Sequence, residues 1–408
     1  MAKRSKGIVI MKVLRYGLYG LLTLLLLLVV GAAIFVATFD ANRYKSDIES
    51  LVLKHTGRIL KIDGEISVTL YPQIGVLVTQ ASLSENIATH QASSVSLSDR
   101  FVTLQSTRLS VALLPLLKGE VLVDGINVEG LKVRLVRSTK GILNLQDLLD
   151  RLKPSATKHD SATSTTSTPN AIETDNKPLI VDIQSVSIKD SGLIFIDEQS
   201  QQRWDINDIA LSTDRLAPGA NGQFLASFRL QATKQAADAM VGFSTRYQLG
   251  PQARRLTLSE SKASAEGFWQ DLSAMRLDLQ FDALAEFDTG HYQFNAIKAQ
   301  AAAQIKNTAS PAQTVSLKVD TPQWVLSSRE VSGQALLLEQ LGIDLILTDA
   351  SLGPEPWHLT LRGPVERHFE PETIKGTFSG GLNASPLKLS VNIEDFKKPV
   401  IGFDAHLE

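Results

Sequence analysis

The segment MRLDLQFDA, residues 275–283, alternates without a break. Met275, Leu277, Leu279, Phe281 and Ala283 fall on one side, and Arg276, Asp278, Gln280 and Asp282 on the other. Successive side chains of a strand point to opposite faces, so a strict period of two predicts a strand with one apolar and one wet face. The same count recurs outward from it in both directions. Upstream, Phe224, Ala226, Phe228 and Leu230 alternate with Leu225, Ser227 and Arg229. Leu131, Val133 and Leu135 keep the same spacing, as do Leu109, Val111 and Leu113, and before them Leu60, Ile62, Ile66, Val68 and Leu70. Downstream, Val315, Leu317 and Val319 repeat it, as do Leu387, Leu389 and Val391. Tyr71-Pro72, Lys118-Gly119, Asp124-Gly125 and Glu129-Gly130 punctuate the runs as turns or bulges. The count comes to about sixteen to twenty strands, with very few helices.

That imbalance decides the fold class: mainly β. Every strand carries an apolar face that must be covered, and helices are too few to cover them. A closed sandwich is one solution. The other is a long curved antiparallel sheet rolled into an elongated U-shaped groove whose lining needs a ligand. Alternation is compatible with both.

Two short helices interrupt the strands. Asp40 can cap the first, Tyr44, Ile48, Leu51 and Val52 fall on one stripe, and Gly57 can end it. It is expected to pack on the edge of the following domain or to form a membrane-proximal lid. The second carries Leu145, Leu148, Leu149 and Leu152 behind Asn144.

Ahead of the first helix, no residue from Tyr16 to Phe39 is ionised. About twenty apolar residues at 1.5 Å per residue cross a hydrocarbon core of roughly 30 Å. Lys3, Arg4, Lys6, Lys12 and Arg15 precede the stretch and Asp40 follows it. The positive-inside bias then leaves the N-terminus in the cytoplasm and the rest of the chain outside. A cleaved signal peptide has an apolar core of only about 7–15 residues, so a retained single-pass helix is expected. The resulting division is a basic N-terminus at 1–15, a transmembrane helix at 16–39, a first strand-rich domain at 40–152, a linker at 153–177 and a second strand-rich region at 178–408. The linker, KPSATKHDSATSTTSTPNAIETDNK, is nearly free of large apolar residues.

The chemistry scan is close to empty. Lys and Arg number 41 against 43 Asp and Glu, which lacks the basic excess of a nucleic-acid binder. No cysteine is present, which removes disulfides, thiol catalysis and Cys-ligated metals. No HExxH, GxxxxGK, GxSxG or post-strand GxGxxG occurs. No catalytic, metal or cofactor residue is assigned, and a non-enzymatic protein is expected. Glu366, His368, Glu370 and Glu372 form the best polar cluster, but Pro364 and Pro371 bracket it as a solvated turn. Lys132, Arg134, Arg137 and Lys140 read as a solvated outer face in preference to a lipid-headgroup site. An outer-membrane barrel would need two aromatic girdles, for which 6% aromatic residues are too few.

The segments FDANRYKSDIESLVLKHTGRILKIDGEISVTLYPQIGVLVTQASLSE (39–85) and VALLPLLKGEVLVDGINVEGLKVRLVRSTKGILNLQDLL (111–149) resemble the signature of the AsmA family. Phe39-Asp40 with Tyr44-Lys45, Thr56-Gly57-Arg58, Leu113-Leu114-Pro115-Leu116-Leu117 with Gly119-Glu120, and Gly130-Leu131 carry it as an ordered series. The loop 86–92 lacks the family's usual Gly and Pro, Leu145 stands where Trp is common, and the family normally continues beyond residue 408. The resemblance covers 12–150 by motif and 178–408 by pattern. It implies an inner-membrane anchor, a periplasmic body, and an elongated apolar groove of the chorein type that carries phospholipid acyl chains toward the outer membrane. It also implies a link to outer-membrane protein assembly, so a scaffold or regulator acting through strand edges is the rival expectation. The resemblance favours the groove over the sandwich.

Alternation alone then assigns the lipid-contacting face: Leu60, Ile62, Ile66, Val68, Leu70, Leu109, Val111, Leu113, Leu131, Val133, Leu135, Met275, Leu277, Leu279 and Phe281. Phospholipid and the inner membrane are the expected partners. The run Val400–Leu407 lacks a blocking feature, so a second protein or a second copy is expected at that edge.

Overall fold

The computed structural model describes residues 40–69, 73–85, 100–112, 122–152, 182–306, 313–327, 336–369, 372–395 and 399–407. The predicted anchor (16–39), the linker (153–177), Leu70 and Leu113 lie outside the described residues. Among the described residues, no helix is long and apolar enough to cross a membrane.

A single sheet of 20 strands forms the body. The first part holds β1 (Leu60–Ile62), β2 (Ile66–Thr69), β3 (Gln73–Ser84), β4 (Arg100–Ala112), β5 (Leu122–Glu129), β6 (Lys132–Arg137) and β7 (Asp182–Ile183). Next come β8 (Val186–Asp197), β9 (Gln202–Thr213), β10 (Asn221–Ala232), β11 (Ala237–Leu249), β12 (Arg255–Trp269), β13 (Leu272–Glu286) and β14 (His291–Ile305). The last are β15 (Gln313–Ser327), β16 (Leu336–Thr348), β17 (Trp357–Phe369), β18 (Glu372–Leu382), β19 (Ser385–Glu394) and β20 (Val400–Leu407). From β8 to β20 each strand pairs antiparallel with the next in sequence.

The sheet is mixed, which corrects the purely antiparallel expectation. β5 runs parallel to β7 and β8, and β6 runs parallel to β8. Parallel pairing needs a crossover of roughly a dozen residues or more, and the long connection from Arg137 to Asp182 supplies it. That connection includes the helix α2 (Gln146–Leu152). β5 and β6 behave as one interrupted strand against β4, Glu129 facing Ser106 and Val133 facing Val102, with the left-handed Gly130 (φ 64°) at the step.

Non-glycine residues in the left-handed region mark where the strands bend. Asp190, Asp208, Glu260 and Ala296 have φ of 49°, 53°, 54° and 50°. Each lies at a register shift of its ladder. A bulge puts two residues against one and increases the local twist and bend of the strand, so these positions curve the sheet.

At the β1–β3 end a 3₁₀ turn (Ala41–Tyr44) and the helix α1 (Lys45–Thr56) sit on the sheet. Asp40 caps the turn by accepting from the Asn42 N–H at 3.0 Å, and Gly57 (φ 70°) ends α1. Ala41, Ile62 and Ile66 are buried together, with Leu60, Val68, Val78 and Ala81 around them. The Ile62 and Ile66 N–H groups donate to Glu49 Oε1 (2.9 Å) and Asn42 Oδ1 (3.0 Å). Those strand-edge amides need acceptors. They draw a polar side of α1 onto the sheet: Lys45, Glu49, Val52 and Thr56 are half-buried. Tyr44, Ile48 and Leu51 stay exposed, so most of the apolar stripe expected to pack inward does not.

Candidate functional site

Residues that face each other across a ladder share a face, so the register traces what lies beside what. From Ile66 the partners run Val78, Thr107, Val128, Ile188, Leu211 and Ala226. The same line continues through Phe243, Ala263, Leu279, Ala299 and Val319, then Ile343, Leu361, Gly380, Leu387 and Leu407. Only Thr107 carries a polar side chain. One unbroken row crosses the sheet from end to end with no charge in it.

Two further rows run beside it, both on the same side, the nearer through Val241 and Leu277 and the farther through Ala239 and Met275. One joins Leu60, Leu83, Val102, Val133, Leu193, Ile206, Leu230, Ala239, Gly267 and Met275. The other joins Phe228, Val241, Ala265, Leu277, Ala301, Leu317, Leu345, Leu359 and Leu382. The register neighbours of Leu279 on the opposite face are different in kind. Lys262, Gln280, Lys298 and Asp320 form one such row, and Ser264, Asp278, Gln300, Lys318 and Asp344 form another. Ion pairs stitch this polar face: Arg229–Asp238 at 2.7 Å, Arg276–Glu266 at 2.9 Å and Arg362–Asp320 at 2.8 Å. Arg362 reaches Asp320 across β16 because Gly342 leaves the space that a Cβ would take.

Among the described residues, no second layer seals the apolar face. Among the described residues, the buried hydrophobic side chains are mostly alanines, with Ile62, Ile66, Phe101, Tyr247 and Leu361 the larger ones. Leu277 is 40% exposed. A cavity of about 550 Å³ along β8–β13 lies between two rows of the opposite face, Ser244–Lys262–Gln280 and Gly242–Ser264–Asp278, with Phe243, Ala263 and Leu279 at its floor. A second of about 360 Å³ lies on the apolar face, between the central row at Ala263, Leu279 and Ala299 and the row Ala265, Leu277 and Ala301. The second volume is in the range of small-molecule sites, and its lining is the apolar kind that binds hydrocarbon.

Large and small residues take turns from strand to strand. β12 and β14 contribute alanines between the larger side chains of β11, β13 and β15. Aromatic rings lean over these low places: Phe224–Phe243 (6.0 Å between centroids), Phe243–Phe281 (6.5 Å), Phe281–Phe294 (6.0 Å) and Phe294–Trp324 (5.5 Å). Trp204 on β9 and Trp269 on β12 meet at 5.6 Å above the buried Ala232 and Ala237 of the strands between them. This ladder escapes a sequence reading because it runs diagonally across strands far apart in the chain.

The residues assigned from alternation are placed as follows. Leu279 lies in the central row, Leu60, Val133, Met275 and Leu277 in the two rows beside it, and Phe281 in the aromatic ladder. Val68 and Leu109 both face Val76 on β3, Val111 faces Ile74, and Leu135 faces Phe195. Ile62 and Ile66 are taken up by the cluster beneath the N-terminal turn. Leu131 sits in the step between β5 and β6, its N–H donating to Ser191 Oγ at 3.1 Å.

The polar candidates are engaged locally. His368 pairs with Glu366 at 3.3 Å, and Glu366 faces Lys375 on β18. Glu370 lies outside the described residues. Among the described residues no group of three or more His, Cys, Asp or Glu gathers as a metal site. Arg134 pairs with Glu85 at 3.7 Å and Arg137 with Asp197. Hydrogen bonds from Arg137, then Ser200, hold the Asp197 carboxyl far below the usual carboxylate range.

One buried charge anchors the N-terminal end. Arg58 is fully buried, with Nη2 2.6 Å from Asp147 Oδ1 and Nε 3.2 Å from Asp147 Oδ2. It also donates to the Asn144 and Ser84 carbonyls and lies 4.2 Å from the Phe101 ring centre. Asn144 in turn donates to Glu85 Oε1 (2.7 Å) and accepts from the Val136 N–H (3.0 Å). This network ties the segment before α2 to β3, β4 and β6.

The AsmA family model matches residues 11–334, four-fifths of the chain. The chain belongs to the AsmA family. Protein AsmA of Escherichia coli (strain K12) is 23% identical over 306 residues, which is 75% of this chain and 45% of that relative. The matched region therefore spans less than half of that relative's length. No solved structure matches. The family motif Thr56-Gly57-Arg58 supplies both the end of α1 and the buried arginine.

Proposed function

We propose that this AsmA-family chain is anchored in the inner membrane by residues 16–39, extends into the periplasm, and binds phospholipid acyl chains along its apolar sheet face. The single observation that carries the reading is the uncharged row from Ile66 to Leu407, bordered on its own face by the apolar cavity over β11–β15. Each methylene that leaves water for such a lining gains about 0.8 kcal/mol. Because the row repeats from strand to strand and offers no unique polar site, a chain can shift along it in small steps. Headgroups stay in water at the open side. Passage of lipid along the groove would contribute to outer-membrane biogenesis and lipid homeostasis. No catalytic residue is required. The test is native mass spectrometry of the full chain purified in a detergent that exchanges slowly: bound phospholipid supports the reading, and a chain repeatedly free of lipid overturns it.

A second reading has its own observation. β20 pairs with β19 on one side, and its side chains are all exposed, Phe403 by 75% and Val400 by 64%. A row of available backbone groups beside exposed apolar side chains accepts an added strand. A scaffold or regulator of outer-membrane protein assembly, or of protein targeting to the membrane, would use that edge. Crosslinking from Phe403 in membranes that yields a protein adduct, with no lipid adduct from the groove, favours this second role.

A further inference from the structure

We infer that α1 rests on the surface of the bilayer through Ile48 and Leu51, and so fixes how the sheet stands on the membrane. The inference depends on the anchoring role of residues 16–39 proposed above. Its own evidence is the way α1 is seated. The helix is held to the sheet by polar contacts at the strand edge, Glu49 to the Ile62 N–H and Asn42 to the Ile66 N–H. Of its apolar side chains Val52 is half-buried in that seating, but Ile48 is 39% exposed and Leu51 59%. Ile59, just past the helix, is 44% exposed. An apolar stripe on a helix that does not need it for packing marks a surface that meets something else.

Position selects the occupant. The uncharged stretch ends at Phe39, six residues before the first residue of α1. Six residues span at most about 20 Å even when fully extended, so α1 cannot lie far from the point where the chain leaves hydrocarbon. Arg43, beside Asp40 at 3.6 Å, and Lys54 are exposed cations at the two ends of the helix, of the sort that meet anionic headgroups while neighbouring apolar residues enter the acyl boundary. The bilayer is thus the apolar partner that α1 reaches first. Docking there would hold the adjoining β1–β3 end of the groove at the level of the lipid it takes up.

The chain has no cysteine, so one introduced thiol reports one place. Leu51→Cys, labelled with an environment-sensitive fluorophore, is placed as the full chain in nanodiscs of phosphatidylethanolamine and phosphatidylglycerol. Ser46→Cys, on a different side of α1 and also exposed, is the comparator. Docking predicts a blue-shifted Leu51 probe that shallow doxyl-labelled lipid quenches roughly threefold more than the Ser46 probe. Equal, weak quenching at both sites, in a chain that alkaline carbonate fails to strip from membranes, overturns the docking and leaves the anchor standing. A chain released by carbonate overturns both. A blue shift that depends on protein concentration and not on doxyl lipid overturns it in favour of a second copy.

Discussion

Phe243 and Phe281 stack with their ring centres 6.5 Å apart, although a whole strand, β12, runs between the strands that carry them. Two strand spacings amount to roughly 9.6 Å, so both rings must lean toward each other. What lets them is the size of what lies beneath. β12 places Ala263 between Phe243 and Leu279, and Ser261 against Phe281.

Filling that low place separates a groove from a core. Ala263→Leu adds bulk under the two rings and into the apolar cavity of about 360 Å³. In a sealed interior, overpacking costs about 1–3 kcal/mol. On an open wall, the expected stability change by urea denaturation is within about 1 kcal/mol, while co-purified phospholipid falls.

Leu279→Asp places a carboxylate at the middle of the uncharged row. Burying a charge in a packed core costs several kcal/mol and would prevent folding. On a wall that water reaches when lipid is absent, the expected result is a soluble, folded ectodomain with an unchanged far-UV spectrum and little bound lipid. The lipid content is read by extraction and mass spectrometry.

Arg58→Ala should be among the most damaging single changes in the first domain. Removing one partner of a buried ion pair costs about 3–5 kcal/mol. The expected loss is of that size, with faster amide exchange across residues 144–150, because Asn144 and Asp147 are held through Arg58.

Asp197 gives the fold an acid-sensitive hinge between β6 and the β8–β9 turn. Arg137 and Ser200 donate to its carboxylate, as does the Gln199 N–H at 3.1 Å. Its folded-state value lies below the unfolded one, so its contribution is complete above pH about 4 and is lost as pH falls further through the folded value. The expected outcome is that Asp197→Asn lowers the melting temperature at pH 7, and that its melting temperature depends less on pH below about 4 than the wild type's.

Local alternation made most of the strands legible, MRLDLQFDA most of all, because one face is apolar and the other wet. The parallel pairing of β5 and β6 with β8 was not legible. It depends on where a long crossover brings the chain back, and the connecting residues carry no signal of that. The orientation of α1 was missed since the strand-edge amides of Ile62 and Ile66, which decide it, are made by tertiary pairing. Arg58 was hidden by its type: a lone arginine after a helix-ending glycine reads as surface until Asp147, 89 positions later, is seen beside it. The aromatic ladder depends on register between strands and on the alanines of β12 and β14, which a single-strand reading treats as ordinary strand residues.

Site-specific photocrosslinking in living membranes tests the central claim most directly, with the photoreactive residue placed at Leu279 in one chain and at Gln280 in another. The two positions are neighbours on β13 and face opposite sides of the sheet. A groove that carries lipid predicts a phospholipid adduct from position 279 and none from position 280. Equal adducts at both positions, or no lipid adduct at 279 in a folded chain, would contradict it.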